Sequence, residues 1–506
     1  MPQYEPVIGL EIHVQLGTLS KMFCSCPVPG EEQQPNTCIC PVCTGQPGVL
    51  PVINKGAVKL GIKAALALNC AIRGKSVFAR KNYFYPDLPK NYQISQYEQP
   101  LAEKGGIEIN LPGKEGGAGG AVPPLADRRP RSFAQGAVKR IGITRAHLEE
   151  DAGKLLHAVG SEELNHSLVD FNRCGVPLLE IVSEPDMRSP EEAYAYLTEI
   201  RKILQWTGIS RCDMEKGELR CDVNISLRPA GTEKFGEKVE VKNLNSFKAV
   251  RESLYYEIDR QTEALDAGQK INHETRLWND RTGKTAGMRS KEDAHDYRYF
   301  PDPDLVPVVP DAGWVEKLKA GLPELPKKRK ERFISQYSLS AYDAGVLSAE
   351  RGLSEYFEHS VTAGALPKLA ANWIGTDLLG RLNAEKLEIA ESPVKPDSLA
   401  GLVKLIDSGR ISGKMGKDVF EQMWKTGRTA DEIVEASGMS QVSDSGQIQT
   451  WAKEAIAEGA KAADDYRKGN EKALGALVGA VMKKSKGKAN PTLANSVLKE
   501  LIKKEG

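Results

Sequence analysis

A chain of 506 residues exceeds what one hydrophobic core usually supports, so about three domains are expected. With 40% hydrophobic and 27% charged residues the composition is that of an ordinary water-soluble globular protein, not of a disordered or fibrous one. No apolar segment follows Met1 and no uninterrupted apolar run could span a bilayer, which points to the cytoplasm and away from membranes. The net charge of +1 hides an asymmetry: residues 461–506 carry eleven Lys/Arg against five Asp/Glu. That basic end is where an anionic partner would dock.

Val7 to Leu16 alternates with period two, so Glu11, His13 and Gln15 share one face of a strand and Leu10, Ile12, Val14 and Leu16 the other. The first face offers a carboxylate and an imidazole about 7 Å apart along the strand. Nine cysteines follow in the chain, five of them between Cys24 and Cys43. The pairs Cys24/Cys26 and Cys40/Cys43 have the spacing of a closed tetrahedral zinc site, which would staple a loop and leave no open coordination position for chemistry. Cys38 could replace Cys40 or stand apart.

A helix is expected from about Asn54 to Leu68. After it comes Arg80-Lys-Asn-Tyr-Phe-Tyr-Pro-Asp-Leu-Pro-Lys-Asn-Tyr-Gln-Ile-Ser-Gln96, where two prolines exclude a regular helix and leave an ordered loop of Lys, Tyr, Asn and Gln side chains suited to an anionic ligand. Residues 113–136, rich in Gly and Pro and then basic, read as an insertion in a hairpin loop. The stretch from His147 to Asp186 carries the densest acidic chemistry. Glu180 lies inside the apolar run Val176–Val182, a strand buried on both faces, where an ionised carboxylate costs several kcal/mol unless a cation or donors meet it. Its neighbours Glu149, Glu150 and Asp151 are also acidic, so a hard divalent cation is the natural partner.

Ser189-Pro-Glu-Glu192 is a capping box opening a helix that Gly208 ends. Leu219–Arg228 and Lys238–Lys242 alternate and form an antiparallel hairpin, with Arg220, Asp222, Asn224, Glu240 and Lys242 on its polar face. Ser246 caps a long helix ending at Gly268, and the proline-locked Asp296-Tyr-Arg-Tyr-Phe-Pro-Asp-Pro-Asp-Leu305 closes the β-rich part. From about Trp314 the pattern is helical to the end. Its last turn, Lys483-Lys-Ser-Lys-Gly-Lys488, can track phosphates.

The segments VIGLEIHVQL, KNYFYPDLPKNYQISQ, HLEEDAGK, VPLLEIVSEPD, LRCDVNISL, EVKNLNSF and DYRYFPDPD, in this order, closely resemble the B-subunit family of the aspartyl/glutamyl-tRNA amidotransferases. The resemblance covers essentially the whole chain and departs from the family at the long insertion around 113–136. It implies an α+β fold: an antiparallel, glutamine-synthetase-like β cradle over residues 1–295, a helical domain over 296–408 and a small YqeY-like helical tail over 409–506 that binds tRNA. It implies ATP and Mg2+ as requirements, phosphorylation of the side-chain carboxylate of a mischarged Asp-tRNA or Glu-tRNA, and ammonia from a partner amidase A subunit in a heterotrimer with a small C subunit. Carried over by motif, the catalytic residues are Glu11, His13, Glu150 and Glu180, with magnesium on His13, Glu150 and Glu180. The resemblance puts structural zinc on Cys24, Cys26, Cys40 and Cys43.

The residue types suit that chemistry. No GxxxxGK[ST] loop and no strand-linked GxGxxG is present, so a nucleotide must be held by metal and by basic and polar groups on the sheet. Lys81, Tyr83, Lys90, Arg220, Asp222 and Lys242 are the candidates. No GxSxG elbow or Cys/His glutaminase signature can be placed, so ammonia must come from elsewhere. Two rival readings remain: an RNA-binding structural subunit whose carboxylates only pair with Arg220 and Lys242, and a free-standing ammonia ligase for a small acid. The acidic set speaks against the first and the basic tail against the second.

Overall fold

The computed structural model describes residues 4–30, 32–111, 138–159, 162–288, 297–438, 445–485 and 489–504. The chain divides into two compact units, Met1–Leu325 and Pro326–Gly506.

The first unit is built on a nine-stranded sheet. Its strands are β1 (Tyr4–Gln15), β2 (Ala71–Ile72), β5 (Ala102–Asn110), β6 (Val138–Glu150), β9 (Pro177–Ser183), β10 (Leu219–Pro229), β11 (Val239–Lys242), β12 (Glu274–Asn279) and β13 (Lys284–Gly287). They lie in the order β13-β12-β11-β10-β1-β9-β6-β5-β2. A second sheet pairs β3 (Ala79–Asn82) with β4 (Tyr92–Ser95) and β14 (Phe300–Pro301), and β7 (Lys154–Val159) and β8 (Glu162–Asp170) form a two-stranded ribbon. Both strands of this ribbon fall within the His147–Asp186 stretch. The sheet is antiparallel as expected except at one place, where β11 and β12 run parallel because the long helix between them returns the chain to the same end. The insertion expected at 113–136 lies outside the described residues. The strands on either side of it, β5 and β6, pair antiparallel from Asn110 and Val138 inward.

One face of the sheet is apolar and packs on α1 (Lys55–Ala67), α2 (Pro190–Trp206) and α3 (Phe247–Asp266). Alternation dictates which residues go there: Leu10, Ile12 and Val14 of β1, Leu179 and Ile181 of β9 and Cys221, Val223 and Ile225 of β10 are all buried in one core. Each large apolar side chain buried this way contributes about 1.5–3 kcal/mol. Asn54 caps α1, Ser189 caps α2 with Pro190 in its first turn, and Ser246 caps α3. The α2 start is not a reciprocal capping box. Glu192 is drawn instead to Lys139 of β6 at 2.8 Å and to the Arg188 N–H at 2.7 Å, a tertiary ion pair outcompeting the local cap.

The expected boundary at residue 295 falls too early. Phe300 and Pro301 pair with β3, and α4 (Ala312–Ala320) places Leu318 in the sheet's core, so this unit extends to Leu325. Among its described residues the second unit is helical, from Pro326 to Lys504, and holds two separate cores. One spans Phe333 to Val434 and includes Trp373, Phe420 and Trp424; the other spans Ile448 to Ile502. The expected division at 408/409 therefore moves past Gly438, because Ile411, Val419, Phe420 and Met423 complete the first core rather than opening the second.

Candidate functional site

The face of the large sheet opposite the helices carries its polar groups in cross-strand rows. His147 of β6 stands opposite Glu180 of β9, Glu180 opposite His13 of β1, and His13 opposite Arg220 of β10. Arg145, Val182, Glu11 and Asp222 form the next row. Residues in register sit about 4.5–5.5 Å apart, close enough for one ligand to touch several. This is how period-two segments far apart in sequence become one site.

His13 Nε2 lies 3.3 Å from Glu180 Oε2 and 3.6 Å from Glu149 Oε1, while His147 Nε2 lies 3.4 Å from Glu180 Oε2. Ligand atoms of His13, Glu149 and Glu180 all fall within 4.8 Å of one another. Burial alone would lower the His13 pKa, but the hydrogen bond to Glu180 and the charges of Glu180 and Glu149 outweigh it and lift it to about 9. Burial would likewise raise Glu180, yet His147 and His13 hold its carboxyl well below the usual range. Two buried carboxylates against an imidazolium form a set that a divalent cation fits: oxygen ligands with one imidazole, and a charge the cation would balance in place of the proton. His147 Nδ1 is buried with no hydrogen-bond partner among the described residues. The His13 side chain is 20% exposed, so the cluster is reachable.

The rest of the face is basic and aromatic. Lys242 Nζ bonds Asp222 at 2.8 Å and Glu240 at 3.0 Å, and Arg220 Nη2 bonds Asp151 at 2.9 Å. Glu11 accepts from Asn224 Nδ2 at 2.9 Å, one row from the cluster and not among its ligands. Lys81 Nζ lies 4.9 Å from the Tyr297 ring centroid and 5.9 Å from that of Tyr83. Tyr297 and Tyr299 come from DYRYFPDPD; Tyr299 stacks on Tyr97 at 4.3 Å, with the Arg145 guanidinium 5.7 Å from the Tyr97 centroid. Burial, then the charges of Glu180 and Glu149, raise the Tyr299 phenol, which marks it as the cluster's neighbour.

Two expected residues are placed elsewhere. Glu150 follows Glu149 in β6, so alternation turns it to the opposite face, where it accepts from Lys90 Nζ and, at 2.9 Å, from the Ile94 N–H. Glu149 takes the place in the cluster that the motif gave to Glu150. Lys90, spent on Glu150, is likewise off the polar face.

Cys24, Cys26, Cys40 and Cys43 converge, with all four Sγ atoms within 4.8 Å of one another and no disulfide among them. Cys38 is not part of the group: its carbonyl accepts from Lys21 Nζ at 2.7 Å and its N–H donates to Asn172. The hydrogen bond from Cys24 outweighs burial and brings the Cys43 thiol down to about 4, helped by the Cys40 N–H at 3.2 Å and the Lys21 ammonium at 3.7 Å. Burial pushes Cys26 up to about 11. Four converging thiols, one already biased to thiolate, fit a closed tetrahedral metal site.

Residues 6–316 match the family model described as the GatB/GatE catalytic domain, and residues 355–502 match that described as the GatB domain. A relative from Elusimicrobium minutum (strain Pei191) is 55% identical over 503 residues, covering 99% of this chain and 100% of the relative. Others from Carboxydothermus hydrogenoformans and Persephonella marina are 50% and 51% identical over 504 and 503 residues, each matched over its whole length. All three are named as the B-subunit of an aspartyl/glutamyl-tRNA(Asn/Gln) amidotransferase. This chain belongs to that family.

The cluster lies on the face that alternation selects; from sequence Glu149 stands only as one of three acidic neighbours of Glu180, and His147 and Arg145 are not singled out. The signal for them was present. Val138–Glu150 forms a strand in which Arg145, His147 and Glu149 alternate with Ala146, Leu148 and Glu150, and reading that period would have chosen Glu149 over its neighbour. No such signal existed for Tyr299, which a proline-locked loop brings in from far along the chain.

Proposed function

We propose that this chain is the activating subunit of a tRNA-dependent amidotransferase. It uses ATP to phosphorylate the side-chain carboxylate of a mischarged Asp-tRNA(Asn), Glu-tRNA(Gln) or both. Ammonia released from glutamine by an amidase A subunit, in a cytoplasmic heterotrimer with a small C subunit, then displaces phosphate to give the amide. The observation that carries this reading is the cluster of His13, Glu149 and Glu180 on a polar sheet face flanked by Arg145, Arg220 and Lys242.

A carboxylate is a poor acyl donor, and phosphorylation turns one of its oxygens into a good leaving group. Mg2+ on His13, Glu149 and Glu180 would neutralise phosphate charge in that transfer. The chain's own groups do the rest. Lys242, kept charged by Asp222 and Glu240 against its burial, and Arg220, held by Asp151, supply positive charge along the face. Lys81, with no ion pair among the described residues, is available to an anionic substrate. The tyrosines at 83, 297 and 299 exclude water from one side of the cluster and so protect an acyl phosphate from hydrolysis. This face acts as a glutamine-synthetase-like cradle, the four cysteines hold a structural zinc, and the helical tail binds the tRNA body.

The test is transamidation by the reconstituted complex with each mischarged tRNA in turn, with and without ATP. Amide formation that needs ATP and either tRNA supports the reading; ATP-independent amidation, or none with either tRNA, contradicts it.

A further inference from the structure

One ammonium lies in the interior with no conventional counter-ion. Lys21 is among the largest fully buried side chains, and no carboxylate pairs with it among the described residues. Its Nζ donates to the Cys38 carbonyl at 2.7 Å and to Cys43 Sγ at 3.7 Å. The carbonyl satisfies a donor but leaves the charge, and a buried charge without an opposite partner is strongly destabilising. The anion that balances it is therefore the cysteine cluster. Lys21 touches both halves of that cluster, because its backbone N–H donates to the Cys26 carbonyl at 2.9 Å while its side chain reaches Cys38 and Cys43. Its own carbonyl accepts from Asn54 Nδ2 at 3.0 Å, which fixes the lysine on the residue that caps α1. Cys43 thus receives two N–H donors, the other being the Cys40 N–H at 3.2 Å.

We propose that Lys21 is the charge-balancing partner of the metal site formed by Cys24, Cys26, Cys40 and Cys43, its ammonium stabilising the Cys43 thiolate when metal is bound. The proposal rests on the structural zinc argued above and deepens it. Four thiolates around a divalent cation carry a net charge of −2, and one ammonium at a sulfur halves it. Outer partners that donate to a metal ligand orient it and typically contribute about 10–100-fold in metal affinity. Lys90 lines the same small cavity as Cys24 and Cys43, but Glu150 already holds it, so it does not share this role. A lysine that only fastened the Cys38 carbonyl to the loop would stabilise the chain equally with and without metal. A charge-balancing lysine stabilises the loaded state more.

The experiment compares the full chain as wild type, Lys21→Met and Lys21→Gln, each loaded with zinc and stripped by chelation under reducing conditions. Met keeps much of the length without donor or charge; Gln keeps a donor without the charge. Competition with a chromophoric chelator should show zinc held about 10–100-fold more weakly by Lys21→Met, with Lys21→Gln also weakened. The fall in melting temperature relative to wild type should be larger with zinc than without it. With Co2+ in place of zinc, the thiolate-to-metal charge-transfer bands should move to longer wavelength in Lys21→Met, because an ammonium beside sulfur lowers the energy of the donating lone pair. The ligand-field bands should keep the intensity of a tetrahedral site. Zinc affinity unchanged in Lys21→Met, an equal fall in melting temperature with and without zinc, or unmoved charge-transfer bands would overturn the proposal. Wild-type affinity in Lys21→Gln would do so too, by assigning the effect to the donor rather than the charge, and the same readings on Lys21→Gln decide the matter if Lys21→Met does not fold. A wild-type chain that binds neither zinc nor cobalt would overturn the structural zinc and this proposal together.

Discussion

Glu149 and Glu150 differ by one position in β6 and end on opposite faces of the sheet, Glu149 beside His13 and Glu180, and Glu150 against Lys90. Their substitutions should therefore separate function from stability. Glu150→Gln strands an ammonium whose side chain is only 9% exposed, and breaking a buried pair on one side costs about 3–5 kcal/mol. Glu149→Gln instead relieves repulsion between two buried carboxylates. We expect a clear fall in melting temperature with divalent-cation binding retained for Glu150→Gln, and the reverse for Glu149→Gln, read by thermal melts and calorimetric Mn2+ titration. Equal metal loss in both would return Glu150 to the cluster. At this scale the sequence is legible where a strand's period is read: alternation puts His13 on the polar face of its strand and Glu180 inside a buried run, the resemblance alone sets them side by side, and their side chains lie 3.3 Å apart. Glu150 was chosen by motif without the strand beneath it, and motif position alone does not say which way a side chain turns.

At the scale of elements, helix caps at Asn54, Ser189 and Ser246 and the β10–β11 hairpin could be read because their signals are local. What could not be read depends on partners distant in sequence: the β7–β8 ribbon, the parallel β11–β12 pair, and the ends of the helical cores. The last has a practical consequence. Deleting residues 411–506 strips Ile411, Val419, Phe420 and Met423 from the core that begins at Phe333 and should leave an aggregating remnant. Deleting residues 445–506 removes only the core from Ile448 onward and should leave the melting temperature of the rest unchanged. If the tail binds tRNA, this second truncation raises the KM for mischarged tRNA and flattens its dependence on salt. Lys484 contributes less to that slope than its position suggests, because Glu458 at 2.7 Å and Glu454 at 3.1 Å already hold it; Lys486 and Lys488 lie outside the described residues. An unchanged salt slope would make the tail a structural element. For the cysteine cluster, replacing Cys24 and Cys43 by Ser should lower bound zinc and the melting temperature by several degrees, yet leave the magnesium dependence of the remaining activity as it was. Elemental analysis of wild type made in zinc-replete, reducing medium that finds no zinc would remove this claim.

For the whole molecule, the division of labour is between a sheet face that concentrates buried carboxylates, imidazoles and cations and a helical end that carries the chain's excess of positive charge. A helix long and apolar enough to cross a membrane does not occur among the described residues. The central claim is that the His13, Glu149 and Glu180 cluster activates the aminoacyl carboxylate while another subunit makes the ammonia. Glu180→Gln in the reconstituted complex tests it most directly, because the amide keeps the side chain's shape but holds a divalent cation poorly. The measurement is mischarged-tRNA-dependent ADP formation alongside glutamine hydrolysis in the same preparation. Loss of several kcal/mol of transition-state stabilisation predicts ADP formation reduced by about 100-fold or more, with glutamine hydrolysis within about twofold of wild type. ADP formation above about a tenth of the wild-type rate, with the fold intact, would show that Glu180 is a structural carboxylate and that the activation chemistry takes place elsewhere.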